Sequence, residues 1–214
     1  MRVLVGCEES GVIRDAFRKL GHDAYSCDLQ PTRTEDKRFH LQCDILRLLY
    51  STGTAMWNWD TWDLFIVHPP CTFTSLSGLH WNKRIPGRAE KTEAALTFVR
   101  QLMGIPIPRV AIEQPMSCVS SRIRKFYQAI QPYDFGEDAS KTTWLWLKNL
   151  PLLVPTLHIP GRKVIHKGKL VERWSNQTDS GQNRLAPSPT RARDRAKTYQ
   201  GIADAMAEQW EGVK

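Results

Sequence analysis

The 214-residue sequence has no Cys-x-x-Cys pair, although it carries five cysteines, Cys7, Cys27, Cys43, Cys71 and Cys118. An odd, widely spaced set argues against a disulfide framework and a structural zinc site, and leaves room for one reactive thiol among buried ones. No apolar run approaches the ~20 residues that cross a bilayer, and the N-terminus lacks the basic, apolar and small-residue order of a signal peptide. Internal repeats and low-complexity tracts are also missing from the sequence. These absences predict a soluble, cytoplasmic protein with no membrane partner and no metal site.

What the chain does have is large apolar side chains and a surplus of positive charge. It is 41% hydrophobic with eight Trp, seven Phe and five Tyr, too many for a chain disordered throughout. Thirty basic residues against 22 acidic give a net charge of +8. Between Gly161 and Tyr199 stand ten basic and three acidic residues, so +7 of that charge lies in 39 positions. So local an excess suits a polyanionic partner, because Lys and Arg at phosphates release counterions; taken alone, it suits a solvated basic loop equally well.

Apolar periodicity predicts alternating strands and helices. Met1 to Cys7, Ala24 to Asp28, Trp62 to His68, Arg109 to Glu113 and Thr142 to Leu147 read as short buried strands. Gly11 to Leu20, Glu90 to Leu102 and Ile202 to Trp210 place apolar residues on one helical face, and Gly21 closes the first as a C′ residue. The pattern predicts an α/β fold with a central, mostly parallel sheet flanked by helices, whose ligands bind beyond the carboxyl ends of the strands. Pro151 to Thr198, rich in Pro, Gly, Ser and Asn, shows little periodicity and reads as an irregular basic insertion or small subdomain.

Three segments carry chemistry. Val5-Gly6-Cys7-Glu8-Glu9-Ser10-Gly11 is a strand-to-helix turn open to a ligand, and Glu8 and Glu9 would repel a phosphate there and favour a ligand with a cationic part. Asp28, at the end of the second strand, suits the hydroxyls of a ribose, and Asp44 suits an adenine amino group; taken singly, each is more often a turn or capping residue. Cys71 follows Pro69-Pro70 at the mouth of a buried strand, which fixes its direction as a nucleophile meeting a flat ring requires. Glu113, before Gln114-Pro115, would face the same sheet edge, and burial is expected to raise its pKa until it holds a proton. An ion-paired or capping glutamate is the competing reading.

In this order the segments resemble the DNA cytosine-5 methyltransferases, above all the compact forms of bacteriophages and prophages. Val5 to Gly11 is similar to the family's methyl-donor turn, and Cys43-Asp44-Ile45 to its Gly-Asp-Ile segment. Pro70-Cys71-Thr72-Phe73-Thr74-Ser75 resembles the Pro-Cys-Gln-x-Phe-Ser nucleophile loop, and Glu113-Gln114-Pro115 the Glu-Asn-Val motif. Thr72 stands in place of Gln, and Gln114-Pro115 in place of Asn-Val. The resemblance implies a Rossmann-like S-adenosylmethionine-dependent methyltransferase fold, with Cys71 adding to C6 of cytosine while Glu113 hydrogen-bonds or protonates N3. It further implies cofactor contacts at Gly6, Cys7, Glu8, Ser10, Gly11, Asp28, Asp44 and Pro69. DNA contacts are expected at Lys141, Arg173, Arg184, Arg191, Arg193 and Arg195.

The implied organisation is a catalytic core over 1–150, a basic DNA-contacting region over 151–199, and a C-terminal helix over 200–214 that returns to the core and completes the donor pocket. Two rival readings remain. His68-Pro69-Pro70-Cys71 also resembles the Pro-Pro loop of cytosine-N4 and adenine-N6 amino-methyltransferases, and a non-catalytic DNA-binding relative would keep the same scaffold.

Overall fold

A computed structural model describes residues 1–50, 57–188, 191–196 and 198–213 of the protein, without the side chains at 192 and 193. Seven strands form one sheet: β1 (Arg2–Gly6), β2 (Asp23–Asp28), β3 (His40–Gln42), β4 (Leu64–Val67), β5 (Arg109–Pro115), β6 (Gln128–Ile130) and β7 (Thr143–Lys148). Their order is β3-β2-β1-β4-β5-β7-β6. The first five run parallel, and β7 is antiparallel to both of its neighbours. The fold is Rossmann-like, because the chain winds outward from β1 to β3 and then restarts with β4 on the other side of β1. That reversal opens a crevice between the carboxyl ends of β1 and β4, where such sheets take their ligands.

Both faces of the sheet are covered, which explains why its strands are apolar throughout rather than alternating. Val3, Val5, Leu64 and Ile66 pack against α1 (Val12–Lys19) and α6 (Gln200–Trp210) through Ile13, Phe17, Ile202 and Met206. Leu4, Phe65 and Val67 face α2 (Ile45–Tyr50) and α3 (Arg88–Met103) on the opposite side. α6 packs on the face of the sheet that α1 covers, and its fully buried Trp210 donates from Nε1 to the Pro151 carbonyl at 3.0 Å. Gly201 lets that helix begin against the Phe135 backbone, since a Cβ there would stand 1.7 Å from the Phe135 carbonyl oxygen. No helix among the described residues is long and apolar enough to cross a membrane.

The short α4 (Val119–Arg122) and α5 (Arg191–Arg195) complete the helices used below. The basic stretch is not irregular throughout, which corrects the expectation from its composition. β8 (Arg162–His166) and β9 (Lys169–Arg173) form an antiparallel hairpin with Val164 opposite Val171 and Ile165 opposite Leu170. Lys167 and Gly168 both adopt positive φ, as a two-residue turn that follows the twist of its strands demands. Trp174 anchors the base of the hairpin, stacking on Tyr133 at 3.9 Å and donating to the Ile159 carbonyl at 2.9 Å.

Candidate active site

The turn after β1 forms one wall of the crevice. Glu8 is buried, and its Oε1 accepts the Ile13 backbone N–H at 2.9 Å and the Ser10 hydroxyl at 3.1 Å. Ser10 Oγ in turn accepts the Val12 N–H at 3.3 Å. The protein's own carboxylate thus fills the N-terminus of α1, where a phosphate would otherwise sit. Glu8 Oε2 is buried with no hydrogen-bond partner among the described residues. Burial raises the Glu8 pKa against the opposing pull of His68, the Ile13 N–H, Ser10 and Arg14.

Cys7, Asp28 and Asp44 come together at the carboxyl ends of β1, β2 and β3. Burial, then the charges of Asp28 and Asp44, push the Cys7 thiol up to about 12. Each acid also has a local duty, with Asp28 accepting from the Gln30 N–H and Asp44 from the Arg47 N–H, both at 2.8 Å. The two glycines of the turn are required by internal packing. A Cβ on Gly6 would lie 2.9 Å from the Phe65 ring, and one on Gly11 would lie 2.5 Å from the Arg14 guanidinium. Arg14 itself is 1% exposed, donating to Asp15, Ser26 and Thr34, a buried cation on a face that periodicity assigns to apolar contact.

Cys71 lies in the loop that leaves β4. Its carbonyl accepts the Thr74 and Ser75 N–H groups at 3.1 and 2.9 Å, folding the loop back on itself. Buried Gln114 pins both ends of this turn. Its Nε2 donates to the Pro69 carbonyl at 3.1 Å, and its Oε1 accepts the Thr74 hydroxyl at 3.1 Å. From α3, Arg88 donates to the Thr72 carbonyl at 3.0 Å and Thr92 to the Phe73 carbonyl at 2.9 Å. The Pro69 carbonyl is therefore engaged within the protein, while the half-buried Cys71 side chain is held by a loop with little freedom. Burial and the Glu113 charge raise its pKa, and Lys141 and Arg195 draw it down in part.

Glu113 departs from expectation. His68, the residue after β4, donates from Nδ1 to Glu113 Oε2 across the adjacent strand β5, with side chains only 15% and 17% exposed. Burial works against the Glu113 charge, but the His68 hydrogen bond and charge, with Lys141 and Thr143, outweigh it and hold the carboxyl down at about 2. Glu113 is thus ionised at neutral pH, and the expectation that burial keeps a proton on it is overturned. The proton resides on the imidazole. Burial opposes the His68 cation, yet Glu113 and Glu8 raise its pKa overall. Periodicity and spacing gave His68 no role; its signal was a titratable side chain directly after a buried strand, the same rule that singles out Glu113.

His68 and Glu113 line a narrow pocket closed by Ile13, Ile202, Met206 and Tyr199, so the C-terminal helix does form a wall of the site. Lys141, two residues before β7, lines it too, and its ammonium lies 5.9 Å from the centre of the Tyr199 ring. Among the expected DNA contacts, Lys141 and Arg195 are the two that act on the Cys71 thiol. Arg173 and Arg184 instead brace the basic subdomain, donating to the Asp179 and Gln177 carbonyls at 3.1 and 2.8 Å. Arg191 donates to the Leu185 carbonyl at 2.9 Å. The Arg193 side chain lies outside the described residues.

No family model matches the sequence, and no curated protein does. Chains of solved structures match, among them an E. coli prophage-encoded protein assigned provisionally as a DNA modification methyltransferase. It is 12% identical, with a TM-score of 0.47 over 75% of this chain, and the chain spans about half of that structure's length (52%).

Proposed function

We propose that the chain is an S-adenosylmethionine-dependent DNA methyltransferase that modifies C5 of cytosine through a covalent bond to Cys71. One observation carries the reading: Cys71, in the loop after β4, and Glu113, near the carboxyl end of the adjacent parallel strand β5, stand at one end of the sheet, and Lys141 acts on both of them. A nucleophile beside the hydrogen-bonded His68–Glu113 pair can address two positions of one flat ring.

The chain's own residues fit the cofactor. Acids at Asp28 and Asp44 surround Cys7 where a nucleoside would lie, and the unpartnered Glu8 Oε2 offers a carboxylate oxygen to a cationic group. Gly6, Ser10, Gly11 and Pro69 shape that crevice through packing and capping. When bound, S-adenosylmethionine supplies an electrophilic methyl on sulfur. Cys71 must lose its proton to act, and Lys141 and Arg195 are the cations that favour the thiolate.

Residues 1–150 then serve as the catalytic core, 151–199 as the DNA-contacting region and 200–214 as the returning helix. The hairpin supports a nucleic-acid contact, because Ile165 and Leu170 are 78% and 67% exposed beside Lys163, Lys167 and Lys169. A two-stranded ribbon fits the major groove, and exposed apolar side chains among lysines suit contact with base edges and phosphates. Access to C6 within a duplex further requires the target base to be flipped out.

One observation favours a second reading, amino-methyl transfer. His68 opens the His68-Pro69-Pro70 run that resembles the Pro-Pro loop of the amino-methyltransferases, and its Nε2 is buried without a hydrogen-bond partner among the described residues. Mass spectrometry of nucleosides from DNA incubated with the protein and S-adenosylmethionine tests both. We expect 5-methylcytosine; N4-methylcytosine or N6-methyladenine identifies the second reading, and unmodified DNA contradicts both.

A further inference from the structure

The Glu113 carboxylate is committed to a partner inside the protein. Oε2 takes the His68 Nδ1 proton, and the Thr143 hydroxyl also bonds the carboxylate. His68 is placed the opposite way. Its Nδ1 is fixed, while its Nε2 is buried, has no hydrogen-bond partner among the described residues, and belongs to a ring that lines the pocket. A buried donor left without a partner calls for an explanation, and an acceptor on a bound substrate supplies one.

We propose that His68, through Nε2, is the group that meets the substrate base, and that Glu113 is a positioning residue that fixes the imidazole and keeps it charged. The inference rests on the methyltransferase reading and assigns its proton. The Cys71 thiol first gives its proton to solvent water; as the thiolate sulfur bonds C6, the ring electrons shift onto N3, which takes the Nε2 proton and leaves His68 neutral. After C5 has gained the methyl that S-adenosylmethionine would supply, the donor's sulfonium becoming a neutral thioether, the C5 proton passes to solvent water, the C6–sulfur bond breaks, Cys71 departs as thiolate and N3 returns its proton to Nε2; Cys71 then regains a proton from water. Atoms and charge then balance over the cycle.

The groups facing the imidazole agree with this use. Glu113 on β5 and Glu8 in the turn after β1 favour its cation, and Lys141 before β7 opposes it. From α1 and α6 the pocket receives only apolar side chains, Ile13, Ile202 and Met206, with Tyr199 at its rim. A cation held by two carboxylates in an apolar pocket is an acid that regains its proton after each cycle.

The test compares single-turnover methyl transfer to mixed-sequence duplex DNA from pH 5 to 9 for the wild type, His68→Gln and Glu113→Gln, and follows the His68 ring by 15N NMR in the wild type. His68→Gln is expected to lose about 100-fold at every pH. Glu113→Gln keeps measurable activity at low pH and loses it as pH rises, because burial then lowers the pKa of an imidazole that has lost its main carboxylate partner. The wild-type ring is expected to carry a proton on Nε2 at neutral pH. A His68→Gln variant with wild-type rates beside an inactive, pH-insensitive Glu113→Gln would overturn the proposal, as would an unprotonated Nε2. A wild type that methylates no base contradicts the methyltransferase reading instead, and the NMR titration still decides the pair.

Discussion

The Gln114 side chain donates to the Pro69 carbonyl over 3.1 Å, so the strand bearing Glu113 holds the loop bearing Cys71. The same amide accepts from Thr74, three residues beyond the cysteine. Gln114→Ala would leave the buried Pro69 carbonyl without this donor and Thr74 with only its 3.4 Å bond to the Cys71 carbonyl, a loss of about 1–3 kcal/mol in stability. Displacing a reacting atom by about 1 Å costs about 100-fold in rate. We therefore expect kcat to fall by that order with the KM for DNA nearly constant, and an unchanged kcat would show that the loop holds itself.

The thiol of Cys71 is predicted to be protonated at rest. Alkylation by iodoacetamide, followed by mass spectrometry of the Cys71 peptide, should be slow at pH 7 and rise only above the ordinary thiol range. Burial and Glu113 hold the thiol up, and Lys141 holds it down. Glu113→Gln should accordingly speed alkylation at a given pH and Lys141→Ala should slow it; the reverse order would contradict this account of the site's electrostatics.

The His68–Glu113 pair also shapes stability against pH. The depressed Glu113 pKa contributes stability that is complete above the unfolded value near ~4.3 and lost as pH falls towards 2. The raised His68 pKa contributes stability that is complete below about 6.5 and lost as pH rises through the folded value. Urea unfolding should thus show the wild type exceeding Glu113→Gln by about 3 kcal/mol between about pH 4.5 and 6.5, with the gap narrowing on either side. A gap independent of pH would remove the ion pair as its cause.

Much of this was legible in the sequence. The strands β1, β2, β4, β5 and β7 and the helices α1, α3 and α6 follow from apolar runs and helical spacing, because burial on both faces of a parallel sheet leaves a continuous signal. β6 and α4 did not, being three and four residues long. The hairpin was hidden by composition, although Val164-Ile165 and Leu170-Val171 about Lys167-Gly168 carry its pairing and its turn. At the site, Cys7, Asp28, Cys71 and Glu113 were found from their places at the carboxyl ends of strands, whereas the pairing of His68 with Glu113, and with it the charge state of Glu113, was not. Its pKa is set by His68, 45 positions away in sequence, and only the pairing of β4 with β5 brings the two together.

The hairpin tip offers a separate check on DNA binding. Replacing Ile165 and Leu170 by Ser should leave stability within about 0.5 kcal/mol, since both side chains are exposed. Duplex affinity should nevertheless fall. Replacing Lys163, Lys167 and Lys169 by Ala should lower the slope of log affinity against log salt by about 0.9 for each phosphate no longer neutralised. Unchanged affinity and slope in both variants would place the DNA on another surface.

Bond formation between Cys71 and cytosine C6 is the step on which the proposed function stands, and trapping on duplex DNA containing 5-fluorocytosine reads it out. The fluorine blocks loss of the C5 substituent, so the adduct cannot resolve. We expect a covalent protein–DNA complex that requires S-adenosylmethionine, maps to Cys71 by mass spectrometry and disappears in Cys71→Ala; methylation of ordinary DNA without any such complex would contradict a covalent role for Cys71.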